Sequence, residues 1–284
     1  MSQIRPSRSL AGKVAIVTGA GTLGEGIGNG RATAILLAED GAAVVCVDRD
    51  GALAERTAEM IRAEGRGRAL ALAADVTRDA ECAAVVEAAL DAFGRVDVLV
   101  NNVGVLGARG TATEADAEAW ARGLEVNVTS MALMAKHAIP AMLRNDINNN
   151  DADAAGGGIR GSIVNVGSVA GLRGGTPSLL YPTSKGAVVN MTRAMAAHHG
   201  AQGVRVNCVC PGMLHTPMMD SPAAPMSAET REARRRRSLL GTEGSAWDAA
   251  AAVRFLAGGE ARWITGTVLT VDAGATCSTA IAMD

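Results

Sequence analysis

The chain has 284 residues, 48% of them apolar and only 2% aromatic. That suits one α/β domain with an aliphatic core of Ala, Val, Leu and Ile. A net charge of −2 excludes a broad basic footprint for nucleic acid or an acidic membrane, and no segment approaches the ~18 apolar residues that span a bilayer.

Short apolar runs alternate with longer helical patterns. Residues 1–10 form a tail with Arg5 and Arg8 but no apolar leader core, and a single domain is expected over 11–284. Strands are expected at Val14–Thr18, Ala43–Val47, Ala69–Ala73, Val96–Asn101, Ser162–Val166, Arg205–Val209 and Val268–Val271. Between them lie helical stretches: Arg31–Asp40, Ala52–Ala63, Asp79–Phe93, Asp116–Arg144, Tyr181–Gly200 and Ala246–Leu256. Such alternation predicts a Rossmann-like, doubly wound parallel sheet of about seven strands with helices on both faces. The polar, glycine-rich segment 145–158 predicts an exposed loop.

Five cysteines (Cys46, Cys82, Cys208, Cys210, Cys277) form no CxxC pair, and four scattered histidines form no HExxH. No metal site is expected, and the plain reading is a reduced, soluble, cytoplasmic protein.

Strand one runs into a glycine-rich turn from Thr18 to Gly30, and a helix follows. Glycines there permit a tight turn and bring backbone N–H groups near a pyrophosphate at the helix N-terminus. More than one register fits, Gly19/Gly21/Gly24 among them. Asp48 ends the second strand twenty residues after Gly28, where a carboxylate accepts from both ribose hydroxyls and repels a 2′-phosphate. NAD is therefore expected rather than NADP, although Arg49 next door could welcome that phosphate. Farther on, the only tyrosine, Tyr181, stands four positions before one of three lysines, Lys185. On a helix that spacing stacks the two side chains on one face. A nearby ammonium is expected to pull the phenol below its free pKa of ~10, giving an acid/base pair.

With these features in order, the chain resembles the short-chain dehydrogenase/reductase family over nearly its whole length. The markers are Thr18-Gly19, Asp75-Val76 after strand three, Asn101-Asn102-Val103-Gly104 closing strand four, Asn127 in the next helix, Ser168 thirteen residues before Tyr181, Pro211-Gly212, and Val271-Asp272-Ala273-Gly274. There are two departures. The glycine loop is several residues longer than the family's, and Gly26-Ile27-Gly28 is taken as its register; Val103 replaces the usual alanine.

The resemblance implies roles. Tyr181 would exchange the hydroxyl proton, Lys185 would bind the nicotinamide ribose and lower the tyrosine pKa, and Ser168 would orient the substrate oxygen. Asn127 would hold a water that relays the proton, with a structural helix asparagine as its alternative. Cofactor contacts would come from Gly19, Gly21, Gly26, Ile27, Gly28, Asp48, Asp75, Val76, Asn102, Gly104, Tyr181, Lys185, Pro211 and Gly212. Residues 213–240 would cover the substrate, with Thr216 on the nicotinamide carboxamide and Met213, Met218, Met219 and Met226 as an adaptable apolar surface or as core filler. His215 could reach substrate. The cluster Arg231–Arg237 reads as a solvated helix face, or as a contact for an anionic substrate or a neighbouring subunit.

The expected activity is NAD-dependent interconversion of a secondary alcohol and its ketone, by a homotetramer. The alternatives are an NADP-dependent carbonyl or 3-oxoacyl reductase and a dinucleotide-binding protein without catalysis.

Overall fold

The computed structural model describes residues 5–24, 26–65, 67–146, 158–219 and 225–277. The first four residues of the tail, 147–157 of the expected 145–158 loop and 220–224 of the expected lid lie outside the described residues.

Apolar runs without polar alternation become strands buried on both faces: β1 (Val14–Thr18), β2 (Ala43–Asp48), β4 (Val98–Asn101), β5 (Gly161–Val166) and β6 (Val204–Pro211), while β3 (Arg68–Ala73) is a half-exposed edge strand. Between them run α1 (Asn29–Glu39), α2 (Gly51–Ala63), α3 (Asp79–Phe93), α4 (Ala117–Leu124), α5 (Ser130–Leu143) and α6 (Leu180–His199). Beyond β6 come β7 (Leu214–His215), α7 (Ala228–Arg235), β8 (Gly244–Ser245), α8 (Ala246–Ala257) and β9 (Val268–Val271).

Seven strands form one parallel sheet in the order β3-β2-β1-β4-β5-β6-β9. The order reverses between β1 and β4, and such a switch point opens a crevice at the carboxyl ends of the strands. One face of the sheet packs on α1, α2 and α8 through Ile35, Leu37, Ile61 and Leu256. The other packs on α3 and α5 through Val85, Val86, Met134 and Met142. The buried core is aliphatic, with methionine and cysteine, and among the described residues no aromatic side chain belongs to it.

Two differences from the sequence reading bear on the site. The expected helix Asp116–Arg144 is not continuous: a π turn at Glu125–Thr129 separates α4 from α5 and contains Asn127. Such turns insert one extra residue per turn and re-aim a side chain. The segment after Gly212 also carries strand structure, since β7 pairs with β8 and ties the lid to the start of α8.

Candidate active site

The expected site residues lie at the carboxyl ends of β1 to β6 and in the loops that follow. Thr18 ends β1, and Asn102 donates through Nδ2 to the Gly19 carbonyl at 3.0 Å, joining the β1 and β4 loops across the switch point. Asp48 ends β2; its Oδ2 accepts from the Gly21 N–H at 2.9 Å and its Oδ1 from the Asp50 N–H at 3.1 Å. A side chain on Gly21 would collide with this carboxylate and with Leu53.

The closest approach between the glycine loop and neighbouring backbone falls after Gly26-Ile27-Gly28. Helix α1 begins at Asn29 with Gly28 as its cap, and the Gly28 N–H is taken by the Thr22 hydroxyl at 3.1 Å. The closest approach of backbone to backbone is at Gly30, where any Cβ would run into the Gly19 carbonyl. Ile27 turns instead into a small cluster with Ala32, Ala246 and Ala250 between α1 and α8. Gly30 was not among the residues expected to line the cofactor. The signal was present, because the helical pattern starts at Arg31 and Gly28 and Gly30 are the glycines that directly precede it.

Beyond β3, Asp75 accepts from the Thr77 N–H and hydroxyl at 3.0 and 2.7 Å. Partial burial opposes ionisation there, but these hydrogen bonds, together with the charges of Arg122 and Arg78, hold the carboxyl below its ordinary value. Val76 is in the core. Pro211 ends β6, and the Gly212 N–H bonds the Val271 carbonyl at 2.9 Å. Gly212 packs so tightly on Asp272 that a side chain there would clash.

The acid/base end lies around β5 and α6. Ser168 follows β5 in extended backbone (φ −167°), and its Oγ accepts from the Ala170 N–H at 3.1 Å. Tyr181 and Lys185 share one face of α6. Lys185 is 3% exposed; its Nζ donates to the Val166 carbonyl at 2.9 Å and stands 5.9 Å from the centroid of the Tyr181 ring. A Cβ on Gly104 would sit 3.1 Å from that Nζ, so the glycine keeps the space above the lysine open.

Asn127 is fully buried, and its amide is engaged on both sides. Oδ1 accepts from the Val105 N–H at 2.8 Å, while Nδ2 donates to the Val105 carbonyl and to the Ser184 hydroxyl, each at 2.9 Å. The side chain thus fixes the loop after Gly104 to α6.

One expectation is reversed. Burial pushes the Tyr181 phenol above its ordinary value, and the nearby Ser168 hydroxyl offsets this only in part. Burial also lowers Lys185 to about 8, so its cation is weakened just where it would act on the phenol.

In the lid, Thr216 is nearly buried and its carbonyl accepts from the Met219 N–H at 2.8 Å. Four of the five arginines in the cluster pair with acids of the chain. Arg231 and Arg234 both bond Glu243, and Arg235 and Arg236 bond Glu232. Arg234 also donates to the Leu214 carbonyl at 2.8 Å, clamping α7 to β7. Partial burial opposes ionisation of Glu243, but its hydrogen bonds to Arg231 and Arg234 hold the carboxyl below its ordinary value. No group of His, Cys, Asp and Glu that could hold a metal occurs among the described residues. Nor is any of their helices long and apolar enough to cross a membrane.

A parallel sheet with a glycine cradle at its switch point, beside a serine, tyrosine and lysine, defines a dinucleotide-dependent oxidoreductase. A family model described as enoyl-(acyl carrier protein) reductase matches residues 23–276. The 2-(S)-hydroxypropyl-CoM dehydrogenase 3 of Xanthobacter autotrophicus is 39% identical over 95% of this chain and 99% of its own. The cis-4-hydroxycyclohexanecarboxylate dehydrogenase of Sinomonas cyclohexanicum is 38% identical over 94% of this chain and 98% of its own. A crystal structure from Burkholderia xenovorans, described as a short-chain dehydrogenase/reductase, superposes with a TM-score of 0.84 at 40% identity, covering 95% of this chain and 99% of that one. The chain belongs to the short-chain dehydrogenase/reductase family, and it is an NAD(P)-dependent oxidoreductase of the alcohol dehydrogenase type.

Proposed function

We propose that the chain interconverts a secondary alcohol and its ketone with NAD as cofactor. The observation that carries the cofactor reading is the Asp48 carboxylate, held against the glycine loop by Gly21 with lone pairs left for ribose hydroxyls. A 2′-phosphate at that point would meet the like charge of this half-buried carboxylate. The names of two relatives, a hydroxypropyl and a hydroxycyclohexane compound, both denote secondary alcohols.

The cradle fits a dinucleotide. Gly21, Gly30 and Gly104 each leave space that a side chain would fill, against Asp48, the Gly19 carbonyl and the Lys185 ammonium respectively. The N-terminus of α1 would take the diphosphate, Asp48 the adenosine ribose, and Asp75 and Val76 the adenine side. Lys185 and Asn102 would hold the nicotinamide half, with Thr216 closing over it. When bound, NAD supplies the hydride acceptor.

The rest of the chemistry belongs to this chain. Ser168 donates to the substrate oxygen and fixes its distance from the Tyr181 phenol. Tyr181 takes the hydroxyl proton in oxidation and returns it in reduction. Lys185, with its pKa near 8, passes that proton onward. Asn127 acts as a positioning residue whose side chain sets the Val105 loop beside Lys185, where it would hold a relay water.

The same reading includes a homotetramer in the cytoplasm. Its support is an exposed aromatic surface on and beyond α8, and cysteines that are all free among the described residues. A panel of cyclic and acyclic secondary alcohols, followed by NADH absorbance with NAD and NADP in parallel, tests the function. Reduction of neither cofactor by any alcohol, and no ketone reduction in the reverse direction, would overturn it.

A further inference from the structure

Between Gly19 and α1 the chain makes a longer detour than a tight turn requires. Residues 20–28 include glycines at 21, 24, 26 and 28, so this loop carries more backbone entropy than most. Asp48 takes the Gly21 N–H, and the carbonyls of the loop are gathered by one further side chain. Arg31, in the first turn of α1, is fully buried. Its Nη2 donates to the Thr22 carbonyl at 3.1 Å, and its Nη1 to the carbonyls of Gly26 at 2.6 Å and Gly24 at 3.4 Å. Its Nε donates to the Thr57 hydroxyl at 3.1 Å, and that hydroxyl donates to the Ala20 carbonyl at 2.8 Å. One guanidinium therefore reaches the loop directly at three carbonyls and at a fourth through Thr57.

The geometry requires a planar fork. A lysine has donors at one point only and could not span carbonyls on both limbs of the loop. Gly26, the tightest of these contacts, also abuts the Pro217 ring closely enough to exclude any side chain. Fixing Gly26 thus fixes where the loop meets the lid beside Thr216. Burying a cation also costs free energy unless its donors are satisfied, so the loop and the arginine specify each other.

We propose that Arg31 is a positioning residue that sets the extended glycine loop for a diphosphate group. This rests on the proposed placement of the cofactor diphosphate at the N-terminus of α1. Arg31 touches neither substrate nor cofactor; it acts through the backbone of Thr22, Gly24 and Gly26.

The test uses the full chain and calorimetric titration with NADH, ADP and adenosine. Arg31→Lys keeps the charge and removes the fork. Thr57→Val removes the hydroxyl between Arg31 and Ala20 while keeping the shape, and it decides the matter if Arg31→Lys does not fold. For Arg31→Lys the dissociation constants for ADP and NADH should rise by ~10-fold or more, and for Thr57→Val by ~3-fold. Adenosine binding should stay within about twofold in both. Equal weakening of adenosine and ADP would mean a merely structural role, and unchanged ADP binding in both variants would mean no role; either overturns the proposal. Wild type that binds neither ADP nor NADH would overturn the dinucleotide reading, and this inference with it.

Discussion

Lys185 gives its hydrogen bond to Val166, 2.9 Å from Nζ to carbonyl oxygen, while the Tyr181 ring centroid lies 5.9 Å away. The lysine is thereby fixed at the floor of the site, two residues before Ser168. In the cofactor-free chain it does not offset the burial of the phenol. Tyr181 is the only tyrosine, so wild-type minus Tyr181→Phe ultraviolet titration reads its ionisation alone. The midpoint should lie above the ordinary ~10. Alcohol oxidation should accordingly speed up with pH between about 7 and 9, as the acceptor form becomes more available. A midpoint below 10 without cofactor would show that Lys185 outweighs burial after all.

The lysine leaves its own mark on stability. Its folded pKa is lowered from 10.5 to about 8, so between those values the unfolded chain holds a proton that the folded one has lost. Stability then rises with pH across that window, and the penalty of the buried charge is full below it. Subtracting the profile of Lys185→Met should isolate this slope. A flat wild-type minus variant difference from pH 8 to 10.5 would contradict it.

Tyr181→Phe removes one oxygen and almost no volume, so fold and NADH binding should persist. Turnover should fall by ~10²–10⁴ or more, because the proton loses its positioned carrier. Lys185→Arg should lose activity and weaken cofactor binding, since a guanidinium does not fit the space kept by Gly104 and Val166. Normal turnover in Tyr181→Phe would displace the catalytic assignment.

Much of this was legible in the chain because each signal was local. Uninterrupted apolar runs such as Val14–Thr18 are strands buried on both faces, and a single tyrosine four residues from a lysine needs only a helix to become a pair. What escaped was set by tertiary contact. Asn127 bends its helix because its amide bonds the Val105 backbone and Ser184, residues distant in sequence. The close approach at Gly30 depended on where α1 starts, and it is set by the Gly19 carbonyl that faces it. The pairing of β7 with β8 involves two residues from each strand, too few to leave a periodic pattern. The Tyr181 shift went the other way because burial depth is not written in spacing.

Asp48 serves two partners, so its variants should separate them. Asp48→Asn keeps an oxygen for the Gly21 N–H but drops the charge that repels a 2′-phosphate. The preference for NAD over NADP, read as the ratio of kcat/KM, should shrink by ~10-fold or more while thermal stability holds. Asp48→Ala should shrink it as well and also weaken NAD binding, since the loop loses its anchor. Equal wild-type kcat/KM for the two cofactors would remove the basis for the NAD assignment.

The last expectation concerns assembly. Trp247 and Phe255 lie on α8 and are 39% and 37% exposed, and Trp263, just beyond, is 93% exposed. These are three of the five Trp and Phe residues in a chain whose core uses none of them. Aromatic surface grouped in this way on one helix and the turn that follows it suits burial against a second copy, and a twofold contact would use each residue twice. A separate surface, the partly exposed Met191, Ala194 and Met195 of α6, suits another twofold contact and so a dimer of dimers. Light scattering at micromolar concentration should give a tetramer for wild type. Trp263→Arg should give a folded dimer, because a charge there opposes only the α8 contact. A wild-type monomer, or a tetramer that Trp263→Arg leaves intact, would rule out this arrangement.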